Sequence, residues 1–299
     1  MSSGPADQLF IDSHVHILPE QRMRGLVRWI LKAWPRHPVP ETVTAQDIIN
    51  DLKHEGVTHF FNLAYPLKSE ETGPLNDFNI GFCRETPGAI PFASLHPDTA
   101  DKAEVGERAL EAGFVGFKFH PFVQGFDPWE RRMDPLYEFL QEAGRPVLLH
   151  TGFEAFYKKP MPVSELEKML NRFPRLPVVF VHMAFPELEW AFKMLDERPD
   201  LYLDATNVLA CLRPRYRPML AAVPGGDKLP EVLFDGLERH RGRVIYGSDH
   251  PAGMGGLREI YHDLEILPVD AETVRAMRGG AARAFIERFG PGFVFSEIV

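Results

Sequence analysis

Cysteine is scarce: the 299 residues hold two, Cys83 and Cys211, far apart and without the spacing of a thiolate metal site. One disulfide is the arithmetical maximum, and a reduced intracellular protein is the simpler expectation. Long hydrophobic runs are missing too. None reaches the roughly 18 residues that a membrane span needs, and residues 1–8 are polar with no signal core. Positive charge is in deficit, 33 basic against 42 acidic residues for a net charge of −9, which argues against a general nucleic-acid binder. There is no internal repeat, low-complexity tract or linker. The expectation is a soluble, cytoplasmic chain with one domain over residues 1–299, and no nucleic-acid or membrane partner.

Short apolar runs are what the chain has instead. Eight read as strands: residues 9–17, 57–65, 89–95, 114–120, 146–150, 177–182, 201–205 and 243–249. They are nearly continuous in apolar residues, as parallel strands covered on both faces should be. Amphipathic, helix-length segments lie between them, at 45–55, 100–112, 135–143, 163–173 and 186–197. Thr44 to Asp47 and Asp98-Thr99 are helix starts, and Gly56, Gly113 and Gly144 are stops. Eightfold alternation predicts an α/β fold of the TIM type, a (β/α)8 barrel with its core over about 9–288. Residues 18–43 form an insertion or lid after the first strand, with a basic, aromatic helix at 22–34. The apolar end, 291–299, is expected to pack on the barrel or on the partner of a homodimer.

The strand ends carry the chemistry. Asp12-Ser13-His14-Val15-His16 opens the series, and four later runs end in His120, His150, His182 and Asp249. Spacing by two on an extended strand directs Asp12, His14 and His16 to one face. In such a barrel the active site lies at the C-terminal ends of the strands. Neutral imidazoles and a carboxylate suit one divalent ion, zinc first, with manganese or iron as alternatives. The expected ligands are His14, His16, His150 and Asp249, with Asp249 also taking a proton from a metal-activated water. His182 is placed to orient or protonate, and Asp12 to support. Lys118 and His120, two apart, either bind a substrate carboxylate or brace the site, Lys118 pairing with a barrel carboxylate; a carboxylated Lys118 bridging a second metal is a further alternative. Arg213, in the Pro- and Arg-rich stretch 207–230, is a candidate clamp for a substrate carboxylate. His96 and His250 are weaker candidates.

Asp12-X-His14-X-His16, Pro-Val-Leu-Leu-His150-Thr-Gly, Val-Val-Phe-Val-His182 and Gly-Ser-Asp249-His-Pro resemble the motifs of the amidohydrolase superfamily. Gly-Phe-Lys118-Phe-His120-Pro and Gly279-Gly-Ala-Ala-Arg-Ala-Phe285 resemble its aminocarboxymuconate-semialdehyde decarboxylase-like branch. The resemblance runs from about Leu9 to Arg288. It implies a distorted barrel, one zinc-like ion on His14, His16, His150 and Asp249, and His182 as the strand-six catalytic histidine. Gly280 departs from the pattern, where relatives often carry Asn.

Fold does not settle reaction in such a family. The leading expectation is a metal-dependent hydrolase of a small, carboxylated amide, lactone or ester. The alternative is a non-oxidative decarboxylase of an aromatic or enoic acid on the same site. A silent scaffold barrel and a nuclease are the remaining classes, disfavoured by the full ligand set and by the acidic charge.

Overall fold

The computed structural model describes residues 9–223 and 225–295; the polar stretch 1–8 and the last four residues of the apolar tail lie outside them. Eight parallel strands follow one another in space as in sequence: β1 Ile11–Val15, β2 His59–Leu63, β3 Ala89–Phe92, β4 Phe117–Phe119, β5 Val147–His150, β6 Val178–Val181, β7 Leu201–Asp204 and β8 Val244–Ile245. Regular pairing joins β1 to β3 and β4 to β8. Two single bridges, Ala93 with Phe117 and Val15 with His250, join the two arcs into a ring. Around β3 and β4, Lys118 N donates to Ala93 O at 2.8 Å; at the other seam, Asp249 N donates to His14 O at 2.8 Å and Ser13 N to Tyr246 O at 3.0 Å. The expected (β/α)8 barrel is present.

The helices are α1 Glu20–Ala33, α2 Ala45–His54, α3 Thr72–Glu85, α4 Lys102–Ala112, α5 Pro121–Gln124, α6 Asp134–Ala143, α7 Glu154–Tyr157, α8 Val163–Arg172, α9 Leu188–Glu197, α10 Arg217–Ala221, α11 Leu229–Arg239, α12 Leu257–Glu265, α13 Ala271–Arg275 and α14 Ala281–Phe289. Thr44 and Asp47 make a reciprocal capping box at α2. Asp98-Thr99 does not start α4. That helix begins after Asp101, which is left-handed at φ 49° and makes no side-chain cap, while the Thr99 hydroxyl bonds the Thr72 hydroxyl at 2.8 Å.

Strand alternation separates two apolar layers. Phe117, Phe119, Val147, Leu149, Val178, Phe180, Leu201 and Leu203 belong to the larger core, where they meet the helices. Leu148, Val179, Val181, Tyr202 and Ile245 point inward with Ile11, Phe61, Leu63 and Phe92. The inner cluster is completed by Ala281, Ala282, Phe285 and Ile286 of α14. Phe285 stands against Tyr202 and Phe61, with ring centroids 5.0 and 6.3 Å away. One end of the barrel is thereby plugged with apolar side chains, and the polar groups collect at the other.

The first strand is irregular, its register shifting between Asp12 and Val15, and the shift corrects one expectation. Asp12 does not share a face with His14 and His16. Its carboxylate turns to β8 and α12, accepting from Ser248 N at 2.9 Å, Ser248 Oγ at 2.5 Å and Tyr261 Oη at 2.6 Å, besides His14 N at 2.9 Å. Burial pushes this carboxyl up to about 6, against the pull of those donors. A bulge of this kind re-aims side chains; here it frees Asp12 to tie the first strand to the last.

The same seam needs Gly247. A Cβ there would stand 2.5 Å from His14 N, 2.5 Å from His14 Cβ and 2.8 Å from Asp12 Oδ1. Gly247→Ala should cost about 1–3 kcal/mol through overpacking. Gly81→Ala, in α3 with nothing within 4 Å of its Cβ, should instead stabilise by up to about 1 kcal/mol. Urea denaturation checks both, and equal effects would contradict the close approach at the seam.

Candidate active site and metal centre

The turns that follow β6, β7 and β8 each hold a left-handed residue that is not glycine: His182 at φ 63°, Asn207 at φ 65° and Asp249 at φ 60°. Each such conformation costs about 1–3 kcal/mol and persists only when the surroundings over-determine it. All three line one cavity of about 800 Å3 at the C-terminal ends of the strands, together with His16, His120 and His150.

Three ring nitrogens are tied off by acceptors that the barrel holds in place. His14 Nδ1 donates to Asp204 Oδ2 at 3.1 Å, His16 Nδ1 to the Leu63 carbonyl at 2.5 Å, and His182 Nδ1 to the Thr206 carbonyl at 2.8 Å. That network sets the tautomer a ring takes when neutral, with its Nε2 lone pair turned to the cavity. His16 Nε2 lies 2.9 Å and His14 Nε2 3.6 Å from Asp249 Oδ1. Donor atoms of His14, His16 and Asp249 all lie within 4.8 Å of one another. Lone pairs facing one carboxylate oxygen at these distances repel unless a cation lies among them. The donor set therefore fits a divalent ion of the kind that takes imidazole and carboxylate.

Electrostatics keeps the donors in binding form. Burial holds the His14 ring well below its ordinary value, with the Lys118 charge adding to the effect, and burial does the same to His120 and His150 and, less strongly, to His182. Burial alone would raise the Asp249 carboxyl, but positive charge on the side of His14, His16 and His182, which a cation would supply, outweighs burial and holds the group below the usual carboxylate range. Asn207 fixes the second oxygen, donating from Nδ2 to Asp249 Oδ2 at 2.8 Å.

His150 lies one ring beyond the convergent three. Its centroid is 4.4 Å from His182, which in turn stacks 5.4 Å from His14. His150 Nε2 is buried with no hydrogen-bond partner, an orphaned donor atom of the kind a ligand satisfies. His120 stacks on His150 at 3.7 Å, and its Nε2 lies 3.3 Å from the Tyr157 hydroxyl.

Lys118 does not line the cavity. It is buried beneath, its Nζ without a hydrogen-bond partner, and burial brings it down to about 8 against the attraction of Asp204 and Asp249. The expected pairing with a barrel carboxylate is not made among the described residues. Arg213 is also withdrawn from substrate reach. Its guanidinium forks onto Asp263 at 2.8 and 2.5 Å, meets Met254 O at 2.7 Å and lies 3.0 Å from Glu259. A bidentate partner of that kind satisfies the group inside the fold. His96 accepts from Asp98 N at 3.2 Å, and His250 faces Asp51 at 3.3 Å; both stay outside the cavity lining.

Sequence reasoning overlooked Asp204, although Leu-Tyr-Leu-Asp204 ends β7 as the other ligand runs end theirs. It also gave Asn207 and Tyr65 no role of their own, whereas Phe153, Phe156, Tyr157 and the tryptophans were expected as an aromatic floor for a decarboxylase and do line the cavity, with Trp29 and Trp34 among them. The Leu63 and Thr206 carbonyls carry no sequence signal at all. An acid behind a ligating histidine orients the ring and raises its basicity. Asp204→Asn should thus weaken manganese or zinc binding by about 10–100-fold, read by competition with a chromophoric chelator; unchanged affinity would remove Asp204 from the centre.

A family model of amidohydrolases matches residues 11–288. No match is found among curated proteins. Solved structures are similar over nearly the whole chain. An uncharacterised TIM-barrel protein from Bordetella bronchiseptica superposes with a TM-score of 0.71 at 19% identity, covering 94% of this chain and 99% of that one. A dihydroxybenzoic acid decarboxylase from a Polaromonas species, with bound manganese and the inhibitor 2-nitroresorcinol, gives 0.67 at 15% identity, covering 93% and 97%. A 5-carboxyvanillate decarboxylase from Sphingomonas paucimobilis gives 0.65 at 13% identity, covering 94% and 99%. At these identities the likeness is one of fold.

Proposed function

The chain belongs to the amidohydrolase family, and from that premise we propose that it is a metal-dependent, non-oxidative decarboxylase of a hydroxylated aromatic acid. The observation that carries this is the cavity itself: a floor of converging imidazole and carboxylate under walls of Tyr65, Phe153, Phe156 and Tyr157. Hydrolysis, the leading expectation from the ligand set, needs a water supply and polar partners for a leaving group; these walls are largely aromatic and aliphatic. Decarboxylases among the similar folds support the same choice.

His14, His16 and Asp249 are the residues that would hold the ion, with His150 the proposed fourth ligand. A divalent cation bound there supplies positive charge against the substrate's carboxylate and adjacent oxygen. Manganese is the first ion to test, since it is the one bound in the Polaromonas enzyme; zinc and iron suit the same donors. The converging donors support a cation there, and the protein's own side chains do the rest.

Tyr157 stands edge-on to His120 and His150, with ring centroids 5.3 and 5.4 Å away, and gives the cavity an aromatic side against which a flat ring can lie. His182, neutral and with its Nδ1 hydrogen given to Thr206, presents a lone pair to the cavity and accepts the phenolic proton. Asp249 stays ionised beside it, and Asn207 holds its far oxygen. His182 then returns that proton to the ring carbon bearing the carboxylate, and the carbon–carbon bond breaks. Its electron pair returns to the ring as carbon dioxide leaves, and water restores the consumed proton to the phenolate.

Manganese-loaded protein offered a panel of hydroxybenzoates should release carbon dioxide without added oxidant. His182→Gln should keep its manganese and lose about 10²–10⁴-fold in turnover. Acid release from lactones or esters, with no carbon dioxide from any member of the panel, would return the assignment to hydrolysis.

A further inference from the structure

The floor of the cavity accounts for the reaction, but the mouth is far larger than the floor requires. Six large hydrophobic side chains are exposed among the described residues, and four of them line this cavity: Trp29 at 40%, Leu67 at 41%, Val123 at 40% and Phe156 at 39%. Single exposed apolar residues are ordinary; a convergence of most of them on one concavity marks a binding surface. Trp34 and Phe156 lie parallel, centroids 4.8 Å apart at 5°, and Trp29 closes edge-on at 5.6 Å from Trp34 and 5.8 Å from Phe156. The rings come from α1, the turn after it and α7, so the wall is built where the chain leaves β1 and β5.

Volume points the same way. About 800 Å3 would hold roughly 27 water-sized atoms at ~30 Å3 each, whereas a one-ring dihydroxy acid has about eleven non-hydrogen atoms and fills less than half. The unfilled part is the aromatic part. A second copy or another protein would meet a concave surface that runs without a break into the polar floor, a shape suited to a small molecule.

We propose that the substrate is an acid with an extended apolar, aryl-bearing body, its acidic head on the His16–Asp249 floor and its body along the Trp29–Trp34–Phe156 wall. This rests on the decarboxylase assignment for the orientation of the head; binding alone tests the wall. Isothermal titration of the manganese-loaded full chain with salicylate and with 4-phenylsalicylate should show the phenyl compound at least tenfold tighter. Trp29→Ala and Phe156→Ala, both at exposed positions that the fold tolerates, should each reduce that ratio threefold or more. A ratio near one, or a ratio undiminished in both variants, overturns the proposal. So does sedimentation showing self-association that Trp29→Ala abolishes, because the patch would then be a contact between copies. Carbon dioxide from salicylate with a ratio near one defeats the wall alone. A Trp29-dependent ratio with no carbon dioxide from either acid defeats only the reaction.

Discussion

A buried imidazole with one nitrogen committed to a fixed acceptor has a single direction left in which to offer its other lone pair. The candidate centre depends on that constraint. Asp204, the Leu63 carbonyl and the Thr206 carbonyl each take one ring hydrogen, and each belongs to a strand end or the turn just after it. Desolvation keeps the rings of His14, His150 and His182 neutral, so they arrive as ligands or bases, not as cations. Burying this many polar groups is costly unless each is satisfied. Here the protein satisfies the Nδ1 side of three rings and leaves the cavity side open for an ion and a substrate.

Barrel closure serves the same end. Asp12 binds Ser248 and Tyr261, and Gly247 lets β8 come close to β1, so that Asp249 lands beside His14 and His16 across the seam. Left-handed backbone at His182, Asn207 and Asp249 turns the chain sharply where each side chain must face inward. The apolar plug of α14 at the opposite end leaves one open face. Over it, α1, the turn after it and α7 add an aromatic wall that no ligand geometry requires.

Much of this was legible in order along the chain. Parallel strands buried on both sides read as apolar runs, and a histidine or aspartate closing such a run stands out; His14, His16, His120, His150, His182 and Asp249 were visible for that reason. Asp204 ended its run in the same way but lacked a neighbouring motif. Asp12 was assigned the wrong face because a register shift between Asp12 and Val15 cannot be seen in a period-two pattern. Arg213 was offered as a carboxylate clamp because its partner Asp263 lies fifty residues on, in α12. Reaction type was the least legible, because hydrolysis and decarboxylation ask for the same donors and differ in the walls, which are assembled from loops distant in sequence.

The centre itself is tested most directly by X-ray absorption spectroscopy on protein loaded with manganese, alongside metal analysis. One ion per chain, with imidazole nitrogen from at least two histidines and carboxylate oxygen in its coordination sphere, and loss of that signature in His16→Ala, is the predicted result. A chain that binds no ion, or binds one through oxygen alone with the spectrum unchanged in His16→Ala, would contradict a metal centre on His14, His16 and Asp249.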